Sequence, residues 1–258
     1  MPIRLLGIGY IVGAIVLSIA ALRIVRRFVS PAHLEEAHDL SVFCGTVAGT
    51  VYAVILAFIL FAAWNSFTAA QEVATQEAVT IVNLARLAEG LPAPYGNRFY
   101  RDTIEYARLV STREWPLMAH GRFSRQVSRV SNDLWQVVME AHQVNGVDPL
   151  VLDHATTGLG HLRASRQTRL LESQSPLPPI LWIVLIAGAV ITLIFSLFIP
   201  AGRFGFQALQ VALLAGLLTL ILVAIQDIKQ PFSGPVHVSS TYMERALRTL
   251  TTGAPPAR

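Results

Sequence analysis

The chain has 258 residues, of which 53% are hydrophobic and 14% charged, with a formal net charge of +4 and a pI near 9.6. That composition excludes a highly charged disordered chain and leans toward the membrane class. Residues 65–178 balance eleven arginines against eleven acids, so the basic excess sits in the flanks and argues against a nucleic-acid partner.

In chain order, Leu5–Leu22 contains no Asp, Glu, Lys or Arg and is followed by Arg23, Arg26 and Arg27. A bilayer-spanning helix needs roughly 17–25 such residues. The run is longer than a signal-peptide core and ends in basic residues, with no small-residue cleavage site, so a retained first span is expected. The cluster His33, Glu35, Glu36, His38 and Asp39 follows. Glu35 and His38 have the i,i+3 spacing of one half of a carboxylate-bridged di-iron site, but half a ligand set holds no metal, and a solvated interfacial loop is the expectation.

Leu40–Gln71 is again free of charge. The second span is expected over Val42–Trp64. Gly45, Ala48, Gly49, Ala53 and Ala57 give it small residues at helical spacing, which allow close helix approach, and Trp64 suits an interface. The lone Cys44 reads as a small buried hydrophobe. Val73, Ile81, Leu84 and Leu87 recur near helical spacing across Thr68–Gly90, so this helix should continue beyond the span until Gly90 and Pro92 end it. Further helices are expected near 95–112, 124–143 and 148–171, with turn residues between them. His154 and His161 lie two turns apart on the last of these, too far to share a metal without other ligands.

The third span starts after Pro176, Pro178 and Pro179, prolines that suit a helix entry, and runs to about Ile199. Pro200, Gly202 and Arg203 make a short hairpin, and the fourth span covers about 206–225. The predicted class is all-α: a polytopic membrane protein with four transmembrane helices and a helical extramembrane domain between spans two and three. Its expected boundaries are 1–64, 65–178, 179–225 and a tail over 226–258. Four spans place both termini and the middle segment on one side. No GxxxxGK[ST], HExxH or paired CxxC is present, so no catalytic residue, metal or cofactor is expected and the chain does not read as an enzyme. The span cores hold no carboxylate or basic group, so any pore would be lined by apolar and small polar side chains.

Gly49, Tyr52–Ala53–Val54 and Leu56–Ala57–Phe58 are followed by Trp64, Ala69 and Glu77–Ala78. Glu114–Trp115–Pro116, Arg166 and Arg169, Leu177–Pro178, Leu181–Trp182, Asp227 and Pro231–Phe232–Ser233–Gly234 come after. In this order and spacing the set resembles the bestrophin-like membrane proteins of bacteria and plants, and the resemblance covers nearly the whole chain. It implies distant similarity to bestrophins, chloride channels assembled as pentamers around a pore lined by the second span, with domain and termini in the cytoplasm. The chain departs from bestrophins in having no acidic calcium-binding run.

Carried onto this chain, the resemblance makes Tyr52, Leu56, Leu60 and Trp64 candidate pore-lining residues, with Val51, Ile55 and Ile59 as the competing stripe. Plain helix packing or lipid contact would explain either. Glu114, Trp115 and Pro116 are expected at a helix-ending corner, Trp115 packed and Glu114 capping or paired with an arginine. Asp227, Pro231, Phe232 and Gly234 are expected in a turn that returns the tail to the middle domain, with Asp227 paired to Arg163, Arg166 or Arg169. The leading functional expectation is a homo-oligomer in the lipid bilayer of the cell inner membrane, passing chloride or another small anion. The alternative is a non-conducting scaffold or sensor whose helical domain binds partners.

Overall fold

A computed structural model describes residues 2–29, 38–174, 177–199 and 203–252, and these are helical almost throughout. The helices are α1 (Pro2–Phe28), α2 (His38–Leu87, extended by a 3₁₀ turn to Gly90), α3 (Tyr95–Leu109), α4 (Trp115–Met118), α5 (Arg125–His142), α6 (Pro149–Ser173), α7 (Pro179–Phe198), α8 (Phe204–Ile228) and α9 (Thr241–Thr252). His33, Glu35 and Glu36 lie outside the described residues, as do Pro176, Pro200 and Gly202. His38 and Asp39 form the first turn of α2.

The second span and the helix expected after it are one 50-residue helix. Four helical stretches are long and apolar enough to cross a membrane: Leu6–Phe28, His38–Gly90, Pro179–Phe198 and Phe204–Ile228, with mean hydropathies of 2.3 to 2.8. Their large apolar side chains are widely exposed, among them Leu17, Ile183 and Leu213. That exterior suits lipid, where every backbone group must be satisfied within a helix.

The residues group into two compact units. One comprises 1–65 and 176–229; the other comprises 66–175 and 230–258. In the first, α1 packs along α8, and Leu22 is sealed against Leu197 and Val211. Arg23 and Arg26 lie over the Phe204 ring, with guanidinium carbons 5.2 and 5.5 Å from its centroid. Arg26 donates to Gln207 Oε1 at 2.8 Å, while Gln207 Nε2 donates to the carbonyls of Leu197 and Ile199, which α7 leaves without helical partners.

Small residues set the close approaches here. A Cβ on Gly188 would fall 2.2 Å from the Tyr52 ring, so only glycine lets that ring lie on α7, where its hydroxyl donates to Leu185 O at 2.9 Å. Tyr52, Leu56 and Ile59 then form one cluster with Leu185, Ala189, Leu218 and Ile225.

In the second unit, α3 packs on α5 and α9, and α5 packs on α6. Ser124 caps α5 by accepting from Val127 N, and Asp148 caps α6 by accepting from Leu150 N at 2.9 Å, with Pro149 at the first helical position. The helix expected to end near 112 instead passes through a π-helical turn, Val110–Glu114, into α4. Such turns insert a residue and re-aim the side chains that follow. The tail is not free: Val238 N donates to Pro231 O, Gly234 takes φ +84°, and α9 packs on α3 through Met243, Ala246 and Leu250. His154 and His161 are both exposed.

Gly188→Ala should destabilise the chain by about 1–3 kcal/mol, the usual range for overpacking, read as thermal unfolding in detergent. In a Tyr52→Leu background the same change should be nearly neutral. A full penalty in both backgrounds would mean that the Tyr52 ring is not what Gly188 accommodates.

Candidate functional site

The buried charges of the second unit come from helix stripes that are otherwise apolar. On α2 the buried run Ala70, Ala74, Ile81 and Leu84 leaves one heptad position for Glu77, and on α6 the run Leu152, Ala155, Leu159 and Leu162 continues into Arg166 and Arg169. On α3, Phe99, Thr103 and Tyr106 lead through the π-helical turn to Glu114. Packing these stripes together brings two carboxylates and two guanidiniums into one apolar interior.

Arg169, Glu77 and Glu114 are fully buried, and Arg166 is 13% exposed. Arg169 forks onto Glu77, Nε to Oε2 at 2.5 Å and Nη2 to Oε1 at 3.0 Å, and Nη2 also reaches Glu114 Oε1 at 2.9 Å. The Tyr106 hydroxyl donates to Glu77 Oε1 at 2.8 Å. Arg166 forks onto the other carboxylate, Nε to Glu114 Oε1 at 2.9 Å and Nη2 to Oε2 at 2.7 Å, and Ser124 N donates to Oε2 at 3.1 Å. Glu114 thereby receives four donors, the full capacity of a carboxylate.

Two charges of each sign cancel, so the desolvation cost of each is met by a bidentate partner. Burial pushes the Glu114 carboxyl up, but the hydrogen bond from Arg166, the charges of Arg169 and Arg166 and the Ser124 amide together hold it below the usual glutamate value. Burial pushes the Tyr106 phenol well up, and the Glu77 carboxylate beside it adds to the effect, so the hydroxyl stays a donor. By contrast Arg108 and Glu105 pair at 2.6 Å on an open surface, where water screens the attraction.

The sequence motifs converge on this cluster. The Trp115 ring lies 5.0 Å from the Arg169 guanidinium carbon, a cation–π contact, and its Nε1 donates to Val238 O at 3.0 Å. Phe232 meets Trp115 edge to face at 5.7 Å. Glu-Trp-Pro, the arginine pair and Pro-Phe-Ser-Gly thus surround one buried site. The pairing expected for Asp227 is corrected: Arg166 and Arg169 are taken by Glu114 and Glu77, and Asp227, in the last turn of α8, makes no ion pair among the described residues. Glu77 was marked in the sequence only as part of the resemblance, and its bond to Arg169 was not anticipated. The signal was a glutamate at a heptad position of an alanine-rich apolar stripe.

The second candidate feature is the charge-free part of α2. Tyr52 and Leu56 are turned into their own unit, Leu60 packs at the edge of the same cluster, and Trp64 is about half exposed. The competing stripe divides too, Val51 outside and Ile59 buried. The outward face carries Phe43, Val47, Val51, Val54, Phe58 and Phe61 at helical spacing, with Thr46 and Thr50 donating to their own helix carbonyls.

Replacing Arg169 by Met should cost about 3–5 kcal/mol, the range for removing one partner of a buried ion pair, and Glu77→Gln added to it should recover part of the loss in a double-mutant cycle. A depressed carboxylate stabilises the fold above its unfolded value, about 4.3, and loses that contribution as pH falls through the folded value. Unfolding free energy should therefore hold from pH 7 to about 5 and drop below about 4.3, and Glu114→Gln should flatten the acid limb.

A model of the bestrophin-like domain matches residues 12–243. A variant of a bacterial bestrophin homologue from Klebsiella pneumoniae has the same fold at 13% identity and a TM-score of 0.75, covering 94% of this chain and 98% of that one. A second structure of that homologue, solved by zinc phasing, gives 14% identity, a TM-score of 0.72 and coverage of 96% and 99%. A crystal structure of a chain described as a membrane protein gives 13%, 0.74, 95% and 97%. Among curated proteins, none matches. The domain match over most of the chain, together with four membrane-capable helices, establishes that this chain belongs to the bestrophin-like family of membrane proteins.

Proposed function

We propose that the protein is a homo-oligomeric anion channel of the cell inner membrane whose pore is lined by the outward face of α2. The observation that carries this reading is that face itself: Val47, Val51, Val54, Phe58 and Phe61 are exposed in the protomer on a helix with no charge from Leu40 to Gln71. A ring of such faces makes an apolar neck that controls passage by diameter and wetting. This moves the lining from Tyr52 and Leu56, whose side chains pack within their own unit, to the exposed stripe through Val51, Val54 and Phe58. Trp64, about half exposed at the end of the span, stays a candidate pore-lining residue, and Leu60 packs at the edge of the same cluster as Leu56. Likeness of fold to the Klebsiella bestrophin homologue favours the reading, and the activity rests on experiment.

In this reading residues 66–175 of the second unit, between spans two and three in the sequence, form the extramembrane domain and stand in the cytoplasm with both termini. The scaffold alternative predicts no flux and no closed ring of subunits.

Halide efflux from liposomes bearing the purified chain should exceed that from empty liposomes, and Val54→Trp should reduce it several-fold. Cysteines at Val51, Val54 and Phe58 should react with water-soluble thiol reagents, and one at Leu56 should not. Reaction at none of the three, with no flux across varied pH, calcium and voltage, would select the scaffold.

A further inference from the structure

Arg166 is the member of the buried ion cluster that reaches the surface, and its fork onto Glu114 engages Nε and Nη2 only. Nη2 also donates to Ser128 Oγ at 3.0 Å, while Nη1 has no partner among the described residues. The outer edge of Arg166 lines a cavity of about 300 Å³, shared with Arg163, Ser128, Phe123 and Leu171. Arg163 stands one turn before Arg166 on α6 and is exposed without a partner among the described residues. Of the six arginines in residues 115–132 and 154–171, Arg166 and Arg169 are balanced by Glu114 and Glu77, and the other four, Arg163 among them, have no acid within those stretches.

Beside these free donors stand two large apolar side chains that are poorly covered, Phe123 at 53% and Leu171 at 57% exposure. Guanidinium edges select carboxylate or phosphate, and an adjoining apolar wall selects a hydrocarbon chain. Gln174 also lines the cavity. We propose that this cavity binds an anionic amphiphile, its carboxylate or phosphate head on Arg163 and Arg166 and its acyl chain on Phe123 and Leu171. Basic pockets beside apolar surface recognise lipid headgroups in this way. The inference does not rest on conduction, since binding and efflux are read separately.

The test is thermal unfolding of the purified full chain in neutral detergent, titrated in parallel with phosphatidylglycerol, laurate, inorganic phosphate and phosphatidylcholine. Phosphatidylglycerol or laurate should raise the melting temperature saturably, and phosphatidylcholine should not. Arg163→Gln should leave the unliganded melting temperature unchanged and raise the half-saturating concentration about tenfold, the loss of one charge-assisted contact. Arg27→Gln, a basic residue elsewhere, should leave it in place. Phe123→Ser and Leu171→Ser should weaken the two amphiphiles but not phosphate. Tighter saturation by laurate would identify a free fatty acid as the ligand, and tighter saturation by phosphatidylglycerol a membrane phospholipid. Equal shifts in wild type and Arg163→Gln, a phosphatidylcholine shift matching phosphatidylglycerol, or indifference to both serine substitutions would overturn the proposal.

Discussion

Burying the guanidinium of Arg169 constrains the second unit more than any other interaction. A cation taken fully out of water is tolerable only if paired and hydrogen-bonded, so Glu77 from α2 and Glu114 from the π-helical turn that continues α3 must arrive at fixed distances, with Tyr106 of α3 bonding Glu77. Each of those stretches is thereby held in register. The π-helical turn before Glu114 has its place in this scheme, since it changes the side-chain phase between Tyr106 and Trp115 so that both face Arg169. The tail is drawn into the same arrangement by Phe232 and by Val238 O, which meet Trp115 on its edge and at its nitrogen.

The first unit obeys the opposite rule. Its helices meet through small residues and the backbone groups that large side chains can reach. Tyr52 on Gly188, Gln207 on the end of α7 and Arg26 on Gln207 are places where a polar side chain fixes the packing. With lipid as apolar as the side chains, close contact and hydrogen bonds must supply what hydrophobic burial supplies in water. This also explains why the outside of the unit is as apolar as the inside, and why hydropathy alone does not say which face of α2 is turned outward.

These two rules suggest a division of labour for a member of the bestrophin-like family. Conduction, in the reading favoured above, depends on uncharged surfaces of the first unit, where substitutions alter diameter and wetting. The ionic cluster sets the stability of the second unit, and Arg166 alone among its members offers a free edge to an outside ligand. A headgroup taken there would act on a residue already bonded to Glu114, which gives lipid composition a route to the packing of that unit.

Much of the fold was legible in the sequence because its signals are local. Charge-free runs of bilayer length, prolines at helix entries, Ser124 and Asp148 at caps and glycines at turns each depend on neighbours within a few residues. The Glu-Trp-Pro and Pro-Phe-Ser-Gly motifs were visible as well, but not what joins them. That Glu77 pairs with Arg169 across 92 positions, that Tyr52 and Leu56 turn inward while Val51 and Val54 turn outward, and that 241–252 folds as a helix on α3 were decided by tertiary structure. The physical reason is that helical periodicity specifies which residues share a face but not what that face meets. Only the packed helices determine which carboxylate reaches which guanidinium.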